Sequence, residues 1–300
     1  MRHLENAFKF TFKNFLLTLP LLISLAIPAL ISGVGSLGLL TNSGTLFQNF
    51  QRMMEDMRYG GGTLNYFDLF QGINTSAFFA SSAVSGLLSF VFMLLVRPAT
   101  YGIINLHYET GNAKLSDFTR CMSKYIGRYV LYGLLWIAIG IGLGVALIIL
   151  MVIAGVIIGA VSIPFGIILM VLFVLGFIVG LITLSTYMAL WFPSVCVEDS
   201  NITTGLKNSF RTVKGNFWPI LGITILVNLC GNIAGGILGS IIGLIPVVGS
   251  IVTPVVTGLA EFILIVYYFD LYREKTGRFA IPQQPQQPQQ FDGYQDGGAQ

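Results

Sequence analysis

Charge is what this sequence has least of: only 10% of its 300 residues are Asp, Glu, Lys or Arg, against roughly 25% in soluble domains. From Tyr129 to Val197 there is no Asp, Glu, Lys, Arg or His, and from Phe217 to Tyr268 the only one is Glu261. One membrane-crossing helix needs about 20 apolar residues, so runs of this length exclude a water-soluble globule and require several spans. Histidine is nearly missing too. His3 and His107 have no carboxylate, cysteine or second histidine at ligand spacing, and Cys121, Cys196 and Cys230 are scattered, so the pattern supports no metal centre, cofactor, disulfide framework or catalytic constellation. Glu198 and Asp199 are adjacent, too close in sequence for an acid and base pair, and read with Ser200 and Asn201 as the cap of the helix that follows. The net charge of +3 is too small to imply nucleic acid.

What is present is apolar: 54% hydrophobic residues and a mean hydropathy of +0.79. The first run, roughly Phe15 to Leu40, is too long for a signal-peptide core of about 7 to 15 residues and reads as a retained span. The second runs from about Ser76 to Val96, where Arg97 and Pro98 end it. The uncharged stretch has one good break, at Ser162, Ile163 and Pro164, and the last apolar stretch divides at Ile245 to Gly249, giving two spans each. Six spans put Arg2, Lys9, Lys13, Arg97, Lys114, Arg120, Lys124, Arg128, Lys207, Arg211, Lys214, Arg273, Lys275 and Arg278 on one face, and only Arg52 and Arg58 on the other. The positive-inside rule makes the crowded face cytoplasmic. The expected fold is an all-α, polytopic bundle of six spans with both termini cytoplasmic, in a prokaryotic plasma membrane.

One pattern occurs twice. Asn6, Ala7, Phe8, Lys9 with Asn14, Phe15 matches Asn208, Ser209, Phe210, Arg211 with Asn216, Phe217, and each copy stands directly before an apolar run. Leu4, Phe8, Thr11, Phe12 and Phe15, like Leu206, Phe210, Val213 and Phe217, have helical spacing, which predicts amphipathic helices in the inner interface. Phe8 and Phe210 would sit among lipid tails, with Lys9, Lys13, Arg211 and Lys214 at the headgroups. A third, weaker member, Leu115, Phe118, Met122, Tyr125 and Tyr129, lacks the Asn-containing signature. The chain then divides into three hairpin units, roughly 1–111, 112–196 and 197–277, each entered by an interfacial helix. These form one membrane domain, 1–277, before a Pro/Gln-rich tail, 278–300, expected to be disordered.

Gly231, Gly235, Gly239 and Gly243 recur at every fourth residue, a small-residue face for close packing within the bundle or at a homodimer seam. Between the first two spans, Leu46, Phe47, Phe50, Met53, Met54 and Met57 predict a short outer surface helix ended by Gly60, Gly61 and Gly62. Glu261 is the one residue that weighs as a site. An ionisable group within a span usually faces the bundle interior, and Asn228 and Asn232 on the preceding span are its candidate partners. It is either a proton or cation site or a protonated, hydrogen-bonded packing residue. Asp270, Arg273, Glu274 and Lys275 read as an interfacial anchor with local ion pairs.

Trp191, Pro193, Val197, Glu198 and Asp199, then Leu206 to Phe210, Lys214 to Trp218, and the closing Tyr267 to Arg273, resemble a broad group of uncharacterised six-span prokaryotic membrane proteins. That group includes the membrane domain attached to some glycerophosphodiester phosphodiesterases. The resemblance implies a helical membrane domain and no phosphodiesterase activity, because the chain lacks the histidine and acidic cluster such an enzyme needs. The expected function is non-enzymatic: organising or regulating membrane partners or lipid, with the bilayer and possibly a second copy as partners. The alternative is a transporter or channel for a small solute or lipid that uses Glu261.

Overall fold

The computed structural model describes residues 2–59, 75–160, 163–243 and 245–278, and among these every regular element is helical. In chain order they are α1 (Arg2–Lys13), α2 (Leu19–Thr41), α3 (Ser43–Tyr59), α4 (Ser76–Thr110), α5 (Phe118–Ala160), α6 (Ile163–Met188), α7 (Trp191–Glu198), α8 (Ile202–Lys214), α9 (Phe217–Ile242) and α10 (Pro246–Lys275). Six of them, α2, α4, α5, α6, α9 and α10, are long and apolar enough to cross a membrane. The chain is a multi-pass membrane protein by that measure. Gly60 to Gly62 and the Pro/Gln-rich tail from residue 279 lie outside the described residues.

The repeated motif has a local physical meaning. At Asn14 and again at Asn216 the backbone leaves the helical region (φ −115°, ψ 39° and φ −135°, ψ 24°). Each of these asparagines turns its side-chain amide back on the helix it ends: Asn14 Nδ2 donates to Phe10 O at 3.1 Å and Asn216 Nδ2 to Thr212 O at 3.0 Å. Asparagine suits this position because its short amide reaches the carbonyl four residues back: at Phe10 O it joins the backbone N–H of Asn14, and at Thr212 O it replaces the backbone N–H of Asn216, which turns to Val213 O. The two joints separate α1 from the first span and α8 from the fifth. The third member has no asparagine there, and the joint is absent. After one 3-10 turn at Leu115–Asp117, α5 runs unbroken for 43 residues, about 64 Å at 1.5 Å per residue, twice the roughly 30 Å of a hydrocarbon core.

Packing is uneven along the molecule. One end is closely filled: Phe262 to Tyr267, Phe269, Leu271 and Tyr272 of α10 are buried, as are Trp191 to Val197 of α7 and Pro98 to Thr100 and Gly102 to Asn105 of α4. Helix α10 is the centre of this end, packed on α1, α2, α7 and α9, while α2 also packs along α4 and α4 along α5. The helices approach closely where a side chain is missing. A Cβ on Gly231 would sit 2.7 Å from Ala260 Cβ, and one on Gly235 would sit 3.3 Å from Thr253 O, whose own hydroxyl donates to Gly235 O at 2.9 Å. The Gly231 to Gly243 face is therefore spent on α10, inside the bundle, and not on a seam between two copies. A Cβ on Gly140, Gly144, Gly155, Gly176 or Gly180 would meet nothing within 4 Å among the described residues. At the other end α5 and α6 present Ile141, Val145, Ile148, Val152, Ile168, Val171 and Val179 outward, the arrangement expected of surfaces solvated by lipid tails.

Helix α3 forms where the sequence predicts a surface helix. It carries Phe47, Phe50, Met54 and Met57 as exposed apolar side chains and touches the bundle chiefly through α2.

Candidate functional site

Glu261 stands on α10 one turn from the closely packed end. Its carboxylate meets Arg97 of α4: Arg97 Nη2 lies 2.8 Å from Oε1 and 3.2 Å from Oε2. Both side chains keep 32% of their surface accessible, so the pair is neither sealed in the core nor free in solvent. The asparagines expected beside Glu261 lie elsewhere. Asn228 and Asn232 are exposed on α9 and spend their amides on their own helix, at Thr224 O (2.8 Å) and Asn228 O (2.7 Å). The reason is chemical: an anion in a low-dielectric site is stabilised far more by a cation than by an amide.

Arg97 does not end the second span. Helix α4 continues through Pro98 to Thr110, with the hydroxyl of Thr100 donating to Val96 O at 2.9 Å. A membrane helix tolerates proline where side chains satisfy neighbouring carbonyls. The continuous helix puts Phe90, Met93, Leu94, Arg97 and Tyr101 on one stripe facing Tyr129, Tyr132, Gly133, Trp136 and Ile137 of α5. Together these line a cleft of about 540 Å³, mostly apolar, with Arg97 as its charged residue. The Tyr129 phenol stands near the Arg97 guanidinium. Phe192 of α7 braces the wall, edge-on to Tyr101 (4.9 Å between ring centroids) and Tyr129 (5.0 Å), and Tyr132 stands edge-on to Trp191 at 4.8 Å. The arrangement is a neutralised ion pair ringed by phenols at the polar end of an apolar slot. Such a slot matches an amphiphile, an apolar body with one polar end.

Sequence reasoning missed Arg97 and the α5 aromatics. The available signal was the rule that an intramembrane charge pairs, together with Arg97 being, like Arg128, a basic residue that directly abuts an apolar run.

The residues expected at the lipid interface divide by face. Ala7 and Ser209, the small positions of the repeat, are fully buried, while Phe8 and Phe210, the next residues, are each 39% exposed. Phe8 stacks with exposed Phe12, and Phe210 stacks on Tyr187. The first asparagine of each copy grips a carboxylate on another helix: Asn6 Nδ2 donates to Asp270 at 3.2 Å, and Asn208 Nδ2 donates to Glu198. Lys9 is engaged with Glu5 on its own helix at 2.6 Å, whereas Lys13, Arg211 and Lys214 are exposed. Asp270 and Glu274 do not make a local anchor; they hold α1 through His3 (2.7 Å to Asp270) and Arg2. Arg273 turns inward, with Nη2 donating to Asn105 Oδ1 at 2.7 Å and the guanidinium over the Tyr108 ring. Asp199, at φ 49°, pairs with Arg128 and Lys124, and the Arg128 hydrogen bond keeps its carboxyl below the usual aspartate range. Among the described residues no three His, Cys, Asp or Glu side chains gather where a metal could be held.

No curated protein and no solved structure matches the chain. A family model does, over residues 27–274, which takes in α2 from Ile27 onward, the whole of α4, α5, α6 and α9 and all but the last residue of α10, and excludes α1. Over that span, the chain belongs to the family described as Domain of unknown function (DUF7847).

Proposed function

We propose that this chain is a non-enzymatic membrane protein of a prokaryotic plasma membrane, with both termini cytoplasmic, that binds and organises lipid. The observation that carries the reading is the slot between α4 and α5 ending at the Arg97–Glu261 pair. An acyl chain fits the apolar part, and a polar headgroup meets a guanidinium already neutralised by its partner. The amphipathic helices α1 and α8 support the same reading, each with its phenylalanine outward on a helix docked to the bundle. The likeness of the α7–α8 region and the end of α10 to membrane domains attached to some glycerophosphodiester phosphodiesterases fits a membrane module that serves a partner.

The test fills the slot. Gly133 lines it and has no neighbour within reach of an added Cβ, so Gly133→Phe occupies the space without a clash in the backbone. The purified variant is expected to remain monodisperse and to lose lipid that co-purifies with the wild type, measured by native mass spectrometry. Equal lipid retention in a folded Gly133→Phe protein would sink the proposal.

A second reading, a transporter or channel for a small solute or lipid, rests on Glu261 being the single ionisable residue between Phe217 and Tyr268. It requires substrate or proton flux in proteoliposomes that Glu261→Gln abolishes in the monodisperse fraction. Absence of flux in the wild type counts for the first reading.

A further inference from the structure

We infer that the chain carries a second site, for a phosphate group, where the C-terminal ends of α8 and α10 meet the N-terminal end of α9. Arg211, Lys275 and Arg278 converge there on a depression of about 520 Å³, lined also by Glu198, Thr212, Asn216 and Thr276. Three cations face one carboxylate, and that carboxylate is already engaged: the Tyr272 hydroxyl donates to one oxygen of Glu198 and Asn208 Nδ2 to the other. Glu198 therefore fixes the wall of the depression and leaves it with an excess of two positive charges, three minus one.

Cations at helix C-termini commonly serve to cap the last carbonyls. Here other donors do that work. Thr212 O accepts from Asn216 Nδ2, Val213 O from the backbone N–H groups of Gly215 and Asn216, and Tyr272 O from both the N–H and the hydroxyl of Thr276. Arg273 O and Glu274 O accept from the N–H groups of Arg278 and Gly277. Arg211 and Lys275 have neither an ion pair nor a hydrogen bond among the described residues. Arg278 commits one nitrogen, Nη1, to Val197 O at 2.7 Å and has donors to spare. Two guanidinium groups and an ammonium, with the Thr212 hydroxyl beside them, are the donor set that recognises a phosphate.

The depression also lies at the right depth. Phe217 and Trp218 follow Asn216 directly, and Trp218 is 76% exposed at the first turn of a span, the position that tryptophan favours at the headgroup level. The phosphate belongs either to an anionic lipid headgroup or to a soluble phosphate compound. The site stands apart from the α4–α5 slot and does not depend on it.

The experiment uses the full chain in nanodiscs of phosphatidylcholine with a minor share of phosphatidylglycerol. Enrichment of phosphatidylglycerol is read by native mass spectrometry, and pyrophosphate is the soluble probe. For a headgroup site, Arg211→Gln and Lys275→Gln each lower the enrichment about fivefold, Lys275→Arg retains it, and pyrophosphate does not compete. For a soluble ligand, pyrophosphate binds in discs of phosphatidylcholine alone, and the same two substitutions abolish that binding. Lys207→Gln and Lys114→Gln remove equal charge from the basic face outside the depression. If they reduce binding as much, the effect is diffuse surface charge and the site is refuted; binding of neither probe refutes it too.

Discussion

Arg97 and Glu261 illustrate how a membrane chain keeps two charges where one would be intolerable. Each alone would sit in a poorly solvated site, and their pairing at 2.8 Å gives each a counter-charge. Their partial exposure moderates the effect, so breaking the pair should cost about 1–3 kcal/mol rather than the 3–5 of a sealed one. The two halves of the pair are not equivalent. A carboxyl left alone can take up a proton, whereas a guanidinium cannot shed one. Glu261→Gln is therefore expected to lower the melting temperature in detergent more than Arg97→Gln, and Arg97→Leu with Glu261→Leu to recover most of the loss. Additive losses in the double variant would show that the two side chains are not coupled. The same residues mark a limit of legibility. Glu261 stands out in the sequence because nothing near it is charged, but its partner lies 164 positions away on a helix whose length depends on Pro98 being tolerated.

Among the elements, the entry helices α1 and α8 were the most legible, because their signature is local: an asparagine ends each one and a buried small residue sits beside an outward phenylalanine. The neighbour that each helix face packs against was not. The glycine stripe of α9 read equally well as a bundle contact or a homodimer seam, since periodicity gives a face and not the neighbour that covers it. Its packing on α10 makes a graded prediction. Gly231→Ile, aimed at Ala260, and Gly235→Ile, aimed at Thr253, should each destabilise by about 1–3 kcal/mol. Gly144→Ile on α5, where an added Cβ meets nothing among the described residues, should leave the stability within about 0.5 kcal/mol of the wild type. Equal sensitivity at all three positions in thermal melts would show that the α9–α10 contact is not special.

For the molecule as a whole, the orientation rests on the lopsided distribution of basic residues, and it can be checked directly. With Cys121, Cys196 and Cys230 replaced, single cysteines at Lys114, Lys207 and Gln290 are expected to resist an impermeant thiol reagent in intact cells, and one at Gly61 to react. Labelling at the Lys207 position from outside would break the six-span arrangement. The number of spans was legible because charge and apolar length constrain it together. The closely packed end was not, because burial of Trp191, Tyr267 and Tyr272 depends on contacts among α4, α7 and α10 that no local pattern encodes. The unequal packing has a mechanical corollary. At the tight end, side chains fix the angles between helices. Along the outward-facing lengths of α5 and α6 few protein contacts do, so a change in bilayer thickness is expected to tilt these two helices more readily than those of the tight end. Because α5 is one 43-residue helix that also carries Tyr129 and Tyr132, such a tilt is expected to reach the wall of the slot, and lipid retention measured in bilayers of different thickness would read it.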